Sequence, residues 1–329
     1  MTGRRVAARV ATTLGVLALA AGATTTLARV LPGVPGVAPD TWVMVTSFTD
    51  AGALAYLVAV LGLLGGVLLR RNRLRLVAVG LALGLSAVHL AWLVPGYVAD
   101  DRPAGGPGEL RVLAQNMLYG GADPGALLQA AQDVDVLVLT EATEPARQAL
   151  EAAGVRERFP FEAGSGALPR TGASGTHLYS RYPVRSDGPL DAALGDQHWR
   201  ADLQVPGMGS VTVVAVHPQR PVRGGSGWAG EQEQVRLALP RTRTVVAGDF
   251  NAVDSHPSLR RLLGDGFRDS DDLVGAGWNP TYPAQGRVPP LIAIDHVLVS
   301  DDLTATAFRT VEVPGTDHRG VVAVVAARG

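Results

Sequence analysis

Six apolar runs in residues 110–329 end on, or are broken by, a side chain that can bind a cation or move a proton. Leu110–Ala114 runs into Asn116, Val134–Thr140 into Glu141, and Val211–Val216 into His217. Arg243–Ala247 stops at Gly248 and is followed by Asp249 and Asn251, with Phe250 between them. Asp295 lies inside Ile292–Val299, and Asp317–His318 lies between Thr306–Val313 and Val321–Ala326. Polar residues at the strand ends of stacked sheets can converge on one rim. Carboxylates with amides and imidazoles suit a hard cation that keeps water and phosphate oxygens in its shell, as Mg2+ does. Softer metals ask for more His or Cys. The chain has no Cys, which excludes disulfides, thiolate nucleophiles and thiolate zinc sites.

Each of these residues also has a plainer reading. Asp and Asn beyond a strand cap turns with their own side chains. His217, after VTVVAV, is equally a satisfied core histidine. Glu141 resists such a reading, because a charge directly after VLVLT is costly unless it is bound or paired. If the strand continues through GDFN, Asp249 and Asn251 point to one side and Phe250 to the other. Gly248 then lets backbone and substrate approach closely.

Periodicity and punctuation supply the elements that must hold these groups. Val134–Thr140 reads as a buried strand. Asp123–Gln132 and Thr143–Ala152 read as helices, with Asp123 and Thr143 in capping positions. His177–Tyr179 is a short strand, and Ala201–Val205 with Val211–Val216 forms a hairpin around Pro206–Gly209. Gln232–Leu239 and Ser258–Leu263 are helical. Helices interleaved with strands, many of them joined as hairpins, predict an α/β fold of two packed mixed β-sheets flanked by helices, a four-layer α/β sandwich.

The first hundred residues follow other rules. Val10–Ala28, Ala51–Leu69 and Leu76–Val94 contain no Asp, Glu or Arg. Each is long enough to cross a hydrocarbon core of about 30 Å. They predict a membrane domain over 1–95 with three transmembrane helices (about 10–28, 51–69 and 76–94) preceding the sandwich. Pro and Gly predict a linker over 96–109, and a globular domain over 110–329 follows. Arg4, Arg5 and Arg9 precede the first span, and Arg70, Arg71, Arg73 and Arg75 separate the second from the third. Arg placement therefore puts the N-terminus in the cytoplasm and the globular domain outside the cell membrane. A lone His89 in the third span reads as a helix–helix contact.

Taken in order, QNM at 115–117, VLTE at 138–141, YSRYPV at 179–184, VAVHP at 214–218, GDFN at 248–251, IDHVLVS at 294–300 and TDHRGV at 316–321 resemble a known motif series. It is that of the endonuclease/exonuclease/phosphatase superfamily, whose fold is DNase I-like. The three-span front end is similar to membrane-anchored bacterial members. The resemblance covers about 110–329. It implies a phosphoester hydrolase in which Glu141 ligates Mg2+, or Mn2+, with Asn116 and Asp317 also at the metal. Asn116, Asn251 and His318 would contact the phosphate. Asp249 would orient or deprotonate the attacking water, and Asn251 would donate to developing charge. Asp295 would hold the His318 ring, and His217 would serve as general acid. Ser180 and Arg181 read as structural. His177 departs from the small or amide residue usual at its position. Asp254 and His256 add polar groups beside GDFN, and Asp254 reads as the cap of Ser258–Leu263.

The resulting expectation is a membrane-anchored, Mg-dependent phosphodiesterase or phosphatase acting outside the cytoplasmic membrane on phospholipid or polyprenyl (pyro)phosphate. No obligate protein partner is implied. One alternative is an extracytoplasmic endonuclease or exonuclease. Another, of a different class, is a noncatalytic membrane receptor or scaffold that retains the fold. Charge bears on the choice. Residues 1–100 hold eight of the 29 basic and three of the 30 acidic residues, so the remainder carries 21 basic against 27 acidic, a formal −6. Duplex binding draws on a basic surface. A lipid-linked or small-molecule phosphoester is therefore favoured over nucleic acid.

Overall fold

A computed structural model describes the chain except for Met1, 102–103, 165–167, Ser174 and 222–224, and except for the side chains of Thr2, 104–105, Ala192, 195–196 and 225–226. It divides into two compact units, one of Met1–Pro95 with Ser255–Pro257 and one of the remainder.

The first unit contains α1 (Thr2–Val30), α2 (Pro39–Thr46), α3 (Ala51–Leu69) and α4 (Arg73–Leu93). Among the described residues, three helices are long and apolar enough to cross a membrane, over Gly3–Val30, Ala51–Leu69 and Arg73–Tyr97. Leu54, Leu57, Leu61, Leu74 and Val77 project from them more than half exposed, which favours an apolar surrounding. Helices α1 and α3 meet through small residues. A Cβ on Gly62 would fall 2.8 Å from the Ala11 carbonyl oxygen, so only glycine permits that approach. His89 is buried, and its Nε2 lies 2.9 Å from Thr26 Oγ1, a helix–helix contact as expected. Helix α2 falls in a connector for which no element was expected. Arg73 and Arg75, placed in a connector by the sequence, open α4 instead, behind an Asn72 side chain that accepts from Leu74 N–H at 2.8 Å.

The second unit runs β1 (Ala104–Asn116), α5 (Pro124–Ala130), β2 (Val136–Thr140), α6 (Glu144–Ala152), α7 (Val155–Arg158), β3 (Phe161–Gly164), β4 (Thr176–Ser180), β5 (Val184–Pro189), β6 (Trp199–Val205), β7 (Gly209–Val216), α8 (Gly225–Ala238), β8 (Thr244–Asp249), α9 (Pro257–Leu263), β9 (Phe267–Asp269), α10 (Ser270–Leu273), β10 (Asp295–Ser300), β11 (Leu303–Val311) and β12 (Gly320–Arg328). Two mixed six-stranded sheets form, ordered β11-β12-β1-β2-β4-β3 and β5-β6-β7-β8-β10-β9. Alternation explains their packing. Val112, Ala114, Val136 and Val138 face Val213, Ala215, Val245 and Val297 in one core between the sheets. Their neighbours Leu113, Leu137 and Leu139 face outward onto Leu127 of α5 and Ala146 and Leu150 of α6. Val214, Val246 and Leu298 of the second sheet are fully buried as well, as is Leu259 of α9. The expected sandwich of two mixed sheets flanked by helices is the fold.

Topology then fixes a rim. Strands β1 and β2 are parallel, with Asn116 opposite Thr140, and β7 and β8 are parallel, with Val216 opposite Gly248. Their C-terminal ends deliver Asn116, Glu141, His217 and Asp249. Strand β10 runs antiparallel to β8 and starts with Asp295 opposite Asp249. Strand β12 runs antiparallel to β1 and starts at Gly320, two residues after His318. Asp295 thus opens a strand rather than interrupting one.

Two local expectations change. Gly248, at φ +145°, serves the sheet itself, because a Cβ there would sit 2.1 Å from the Val216 carbonyl oxygen. The stretch 96–109, read as a linker, is tied down where it is described. Asp100 N–H donates to Leu273 O at 2.9 Å, Gly277 N–H donates to Gly96 O at 2.8 Å, and β1 has begun by Ala104. Pro and Gly marked irregular backbone there, and the domain satisfies its hydrogen bonds.

Candidate active site

Asn116 bridges two carboxylates. Its Nδ2 donates to Glu141 Oε1 at 3.2 Å and to Asp249 Oδ2 at 2.9 Å, while its Oδ1 accepts from Leu118 N–H at 2.9 Å. The amide nitrogen therefore faces the acids, where it offsets their mutual repulsion. Glu141 follows β2 at φ +51°, and its Oε2 accepts from Tyr119 N–H at 3.0 Å. Leu118 and Tyr119 are also left-handed, at φ +45° and +53°. Left-handed backbone costs about 1–2 kcal/mol per L-residue. Three such residues cluster around one carboxylate, a local concentration of backbone strain.

Asp249 closes β8 and is almost fully buried. Its Oδ1 accepts from Asn251 N–H at 2.8 Å, which is an Asx turn, and Asn251 sits at φ +48°. The strand does not continue through GDFN, so period-two alternation is not what aims these side chains. Asn251 Nδ2 instead donates to Pro218 O at 2.9 Å. Turn-capping and a site position prove compatible, since one Asp249 oxygen closes the turn and the other faces the rim. That Oδ2 lies 3.6 Å from His217 Nε2 and 3.8 Å from His318 Nε2. His217 Nε2 also lies 3.7 Å from Glu141 Oε1. Because a carbonyl only accepts, the 3.0 Å contact of His217 Nδ1 with Ala173 O puts a proton on Nδ1 and turns Nε2 toward the acids. Phe250 packs inward, fully buried, edge-on to the His296 ring.

Asp295 Oδ2 accepts from His318 Nδ1 at 2.8 Å. Burial opposes charge on the imidazole, yet Asp295, Asp249 and Asp317 outweigh it and lift His318 from its ordinary 6.5 to about 10. Burial, followed by the Asp249 charge, pushes Asp295 up in turn, and the imidazolium pulls it back. At neutral pH the shared proton belongs to His318. Asp317 Oδ1 lies 3.9 Å from His318 Nε2.

A cation would find suitable ligands here. Glu141 is contacted by hydrogen-bond donors that carry no full charge, Asn116 and Tyr119 N–H, and Asp317 Oδ1 is buried without a hydrogen-bond partner. Oxygen donors of this kind suit a hard divalent ion. Asp249, Asp295 and His318 also bring one ligand atom each within 4.8 Å of one another. A cation in that trio would compete with the Asp295–His318 bond. A cavity of about 500 Å3 opens beside Glu141 and His217, with Arg220 on its wall.

Several supporting residues left no mark as apolar runs. Thr316 Oγ1 donates to Asn116 O at 2.7 Å and accepts from His318 N–H at 3.2 Å. Thr281 Oγ1 accepts from Ile294 N–H at 3.1 Å and Asp295 N–H at 3.3 Å. The Tyr282 ring lies 5.0 Å from that of His318. Ser180 and Arg181 are structural: Ser180 Oγ bonds Tyr182 O at 2.9 Å, and Arg181 Nη2 bonds Gln132 O at 2.6 Å. His177 is buried and lies 3.2 Å from Glu162. Helix α9 begins at Pro257, so Asp254 stands too far upstream to be its N-cap.

Two mixed sheets that gather carboxylates, an amide and an Asp–His pair on one rim define a class of hydrolase fold. The model of the Endonuclease/Exonuclease/phosphatase family matches residues 113–318, more than half of the chain, and the chain belongs to that family. Family members are generally phosphoester hydrolases. No curated protein matches the sequence. Among solved structures, it is similar to an endonuclease/exonuclease/phosphatase from Beutenbergia cavernae DSM 12333, at 22% identity and TM-score 0.52 over 68% of this chain and 72% of that one. It is also similar to D. rerio TDP2 complexed with single strand DNA product, at 15% identity and TM-score 0.53 over 67% and 99%. A Bacteroides vulgatus endonuclease/exonuclease/phosphatase matches at 15% identity and TM-score 0.52 over 67% and 99%. At these identities the likeness is one of fold.

The Asp295–His318 pair yields a prediction independent of substrate. In Asp295→Asn, NMR titration of the His318 ring should give a pKa lower by about 1–3 pH units, because the ion-pair partner is gone. The sign for stability follows. A raised folded-state value adds stability that is full below pH 6.5 and is lost as pH rises through about 10. Asp295→Asn should therefore be destabilised most below about pH 6.5 and progressively less as pH rises toward 10, and an unchanged His318 titration would contradict the pairing.

Proposed function

We propose that the protein is a membrane-anchored, divalent-cation-dependent phosphoester hydrolase whose catalytic unit lies outside the cytoplasmic membrane and acts on a phospholipid or a polyprenyl phosphate or diphosphate. The observation that carries this reading is the convergence of Glu141, Asp249, Asn116 and the His318–Asp295 pair, with hydrogen bonds or ion-pair distances linking each to the next. The extracytoplasmic placement rests on the Arg distribution around the apolar helices.

In the proposed reaction water attacks phosphorus in line with the leaving oxygen. Asp249 Oδ2 receives the water proton as the new P–O bond forms. His318, held through Nδ1 by Asp295, donates from Nε2 to a nonbridging oxygen. Asn251 has a second Nδ2 proton free for the developing charge once Pro218 O has taken the first. His217, in the doubly protonated form that general-acid catalysis requires, gives a proton from Nε2 to the departing oxygen as the ester bond breaks, its orientation fixed through Nδ1. Bound at Glu141 and Asp317, with Asn116 beside them, Mg2+ or Mn2+ would neutralise phosphate charge and supply Lewis-acid polarisation. Donors fixed before reaction are what makes such stabilisation effective.

Charge supports the lipid reading. The residues after 100 carry a formal −6. Of the arginines near the site in sequence, Arg200 pairs with Asp202 at 2.9 Å and Arg181 is held at Gln132, whereas Arg220 borders the cavity. Arg223 lies outside the described residues. A tethered unit also meets lipid head groups continuously. Full-length protein in detergent with Mg2+, given polyprenyl diphosphate, phospholipid and plasmid DNA in parallel, tests the choice. Phosphate or head-group release at least about tenfold faster than DNA nicking is expected. Faster cleavage of DNA would replace this reading with that of an extracytoplasmic nuclease.

A further inference from the structure

We propose that His198 and Glu231 form a clamp that positions His217–Gln219, and through Pro218 also Asn251, for phosphoester hydrolysis. The inference rests on the functional reading above and adds two positioning residues outside the motif series. His198 is fully buried just before β6, and Glu231 lies in α8. The β6–β7 ladder pairs Trp199 with Ala215 and stops there. Two residues on, His217 N–H would lack a strand partner. His198 Nδ1 supplies one, accepting that N–H at 3.3 Å. An accepting Nδ1 carries no proton, so the ring proton sits on Nε2 and donates to Glu231 Oε1 at 3.1 Å. The other Glu231 oxygen, Oε2, accepts Gln219 N–H at 2.9 Å. Burial works against the Glu231 charge, yet the His198 and Gln219 bonds hold its carboxyl below the usual range.

One His–Glu unit thus takes the backbone N–H on each side of Pro218, which has none of its own. The consequence reaches the site along two routes. His217 carries the imidazole that faces Glu141 and Asp249. Pro218 O takes the Asn251 Nδ2 proton at 2.9 Å. Releasing the clamp therefore shifts a proton donor and a phosphate-facing amide together. An apolar pair would fill the same volume without a partly buried charge to desolvate. What it could not do is hold both N–H groups.

The test is steady-state hydrolysis of bis(4-nitrophenyl) phosphate by the full-length protein in detergent with Mg2+, paired with thermal unfolding and amide hydrogen exchange. His198→Ala should lower kcat by about 10²-fold, the cost of a misplacement on the order of 1 Å, with KM within about threefold. His198→Asn places an oxygen acceptor near the Nδ1 position and should recover most of the rate. His198→Gln reaches Glu231 but offers His217 N–H no acceptor, and should not. Exchange at His217 and Gln219 should rise in His198→Ala. Wild-type kcat and exchange in His198→Ala would overturn the clamp. So would Asn and Gln variants that lose rate equally and in step with their unfolding midpoints. Should the wild-type protein hydrolyse no phosphoester, the functional reading falls, and the exchange measurement alone decides whether the clamp exists.

Discussion

Asp249→Asn should lower kcat by about 10²–10⁴-fold, the range of a positioned proton acceptor, while its unfolding midpoint falls by no more than about 4–8 °C, the equivalent of ~2 kcal/mol in a domain of this size. The substitution is nearly isosteric, and Asn Oδ1 still closes the turn onto Asn251 N–H, now 2.8 Å from Asp249 Oδ1. What it removes is the charge on Oδ2. That charge faces His217 and His318 favourably, at 3.6 and 3.8 Å, and it also pushes Asp295 up. Attraction and repulsion are lost together, and the Asn116 Nδ2 bond to Oδ2 at 2.9 Å goes with them, so the stability cost is that of about one hydrogen bond while proton acceptance disappears. A variant that lost activity only in proportion to lost folded protein would make Asp249 a turn residue and nothing more.

Glu141→Gln should remove saturable Mg2+ binding, read by titration calorimetry, and reduce turnover by about 10²–10³-fold, the rate equivalent of several kcal/mol of Lewis-acid stabilisation. The geometry motivates both effects. Glu141 is held by Tyr119 N–H and Asn116 Nδ2, in a left-handed backbone flanked by two more left-handed residues. Gln retains an acceptor for Tyr119 N–H, so the fold should survive. Its amide is a far weaker ligand, and its NH2 would confront the Asn116 NH2. Undiminished Mg2+ affinity would move the cation elsewhere on the rim, with the Asp249, Asp295 and His318 trio as the next place to look.

Much of this site was legible in the sequence because the polar residues interrupt apolar strands. VLVLT before Glu141 and VTVVAV before His217 are fully buried at almost every position, and the parallel pairs β1–β2 and β7–β8 bring their ends to one rim. The sandwich followed from the same alternation. The reason for the GDFN spacing was not legible. Period two suggested extended chain, whereas an Asx turn at Asp249 and a left-handed Asn251 aim the groups. Local side-chain hydrogen bonding competed with strand continuation and won. Strand β5, VRSDGP, is largely exposed at a sheet edge, so no apolar pattern announces it. The supports from Thr281, Tyr282 and His198 come from loops and element ends, where spatial neighbours are distant in sequence. The linker expectation failed for a related reason. Pro and Gly report irregular backbone, not whether a domain binds it, and Asp100 is bound through Leu273 O and paired with Arg268 at 3.2 Å.

The most direct test of metal-assisted phosphoester hydrolysis at this rim is one titration. Full-length wild-type protein and Asp249→Asn, each stripped with EDTA, are titrated with Mg2+ while bis(4-nitrophenyl) phosphate hydrolysis is followed. Saturable recovery is expected in the wild type, with at least about a 10²-fold lower plateau in the variant. Wild-type turnover that Mg2+ and Mn2+ leave unchanged, or that Asp249→Asn matches, would contradict the account.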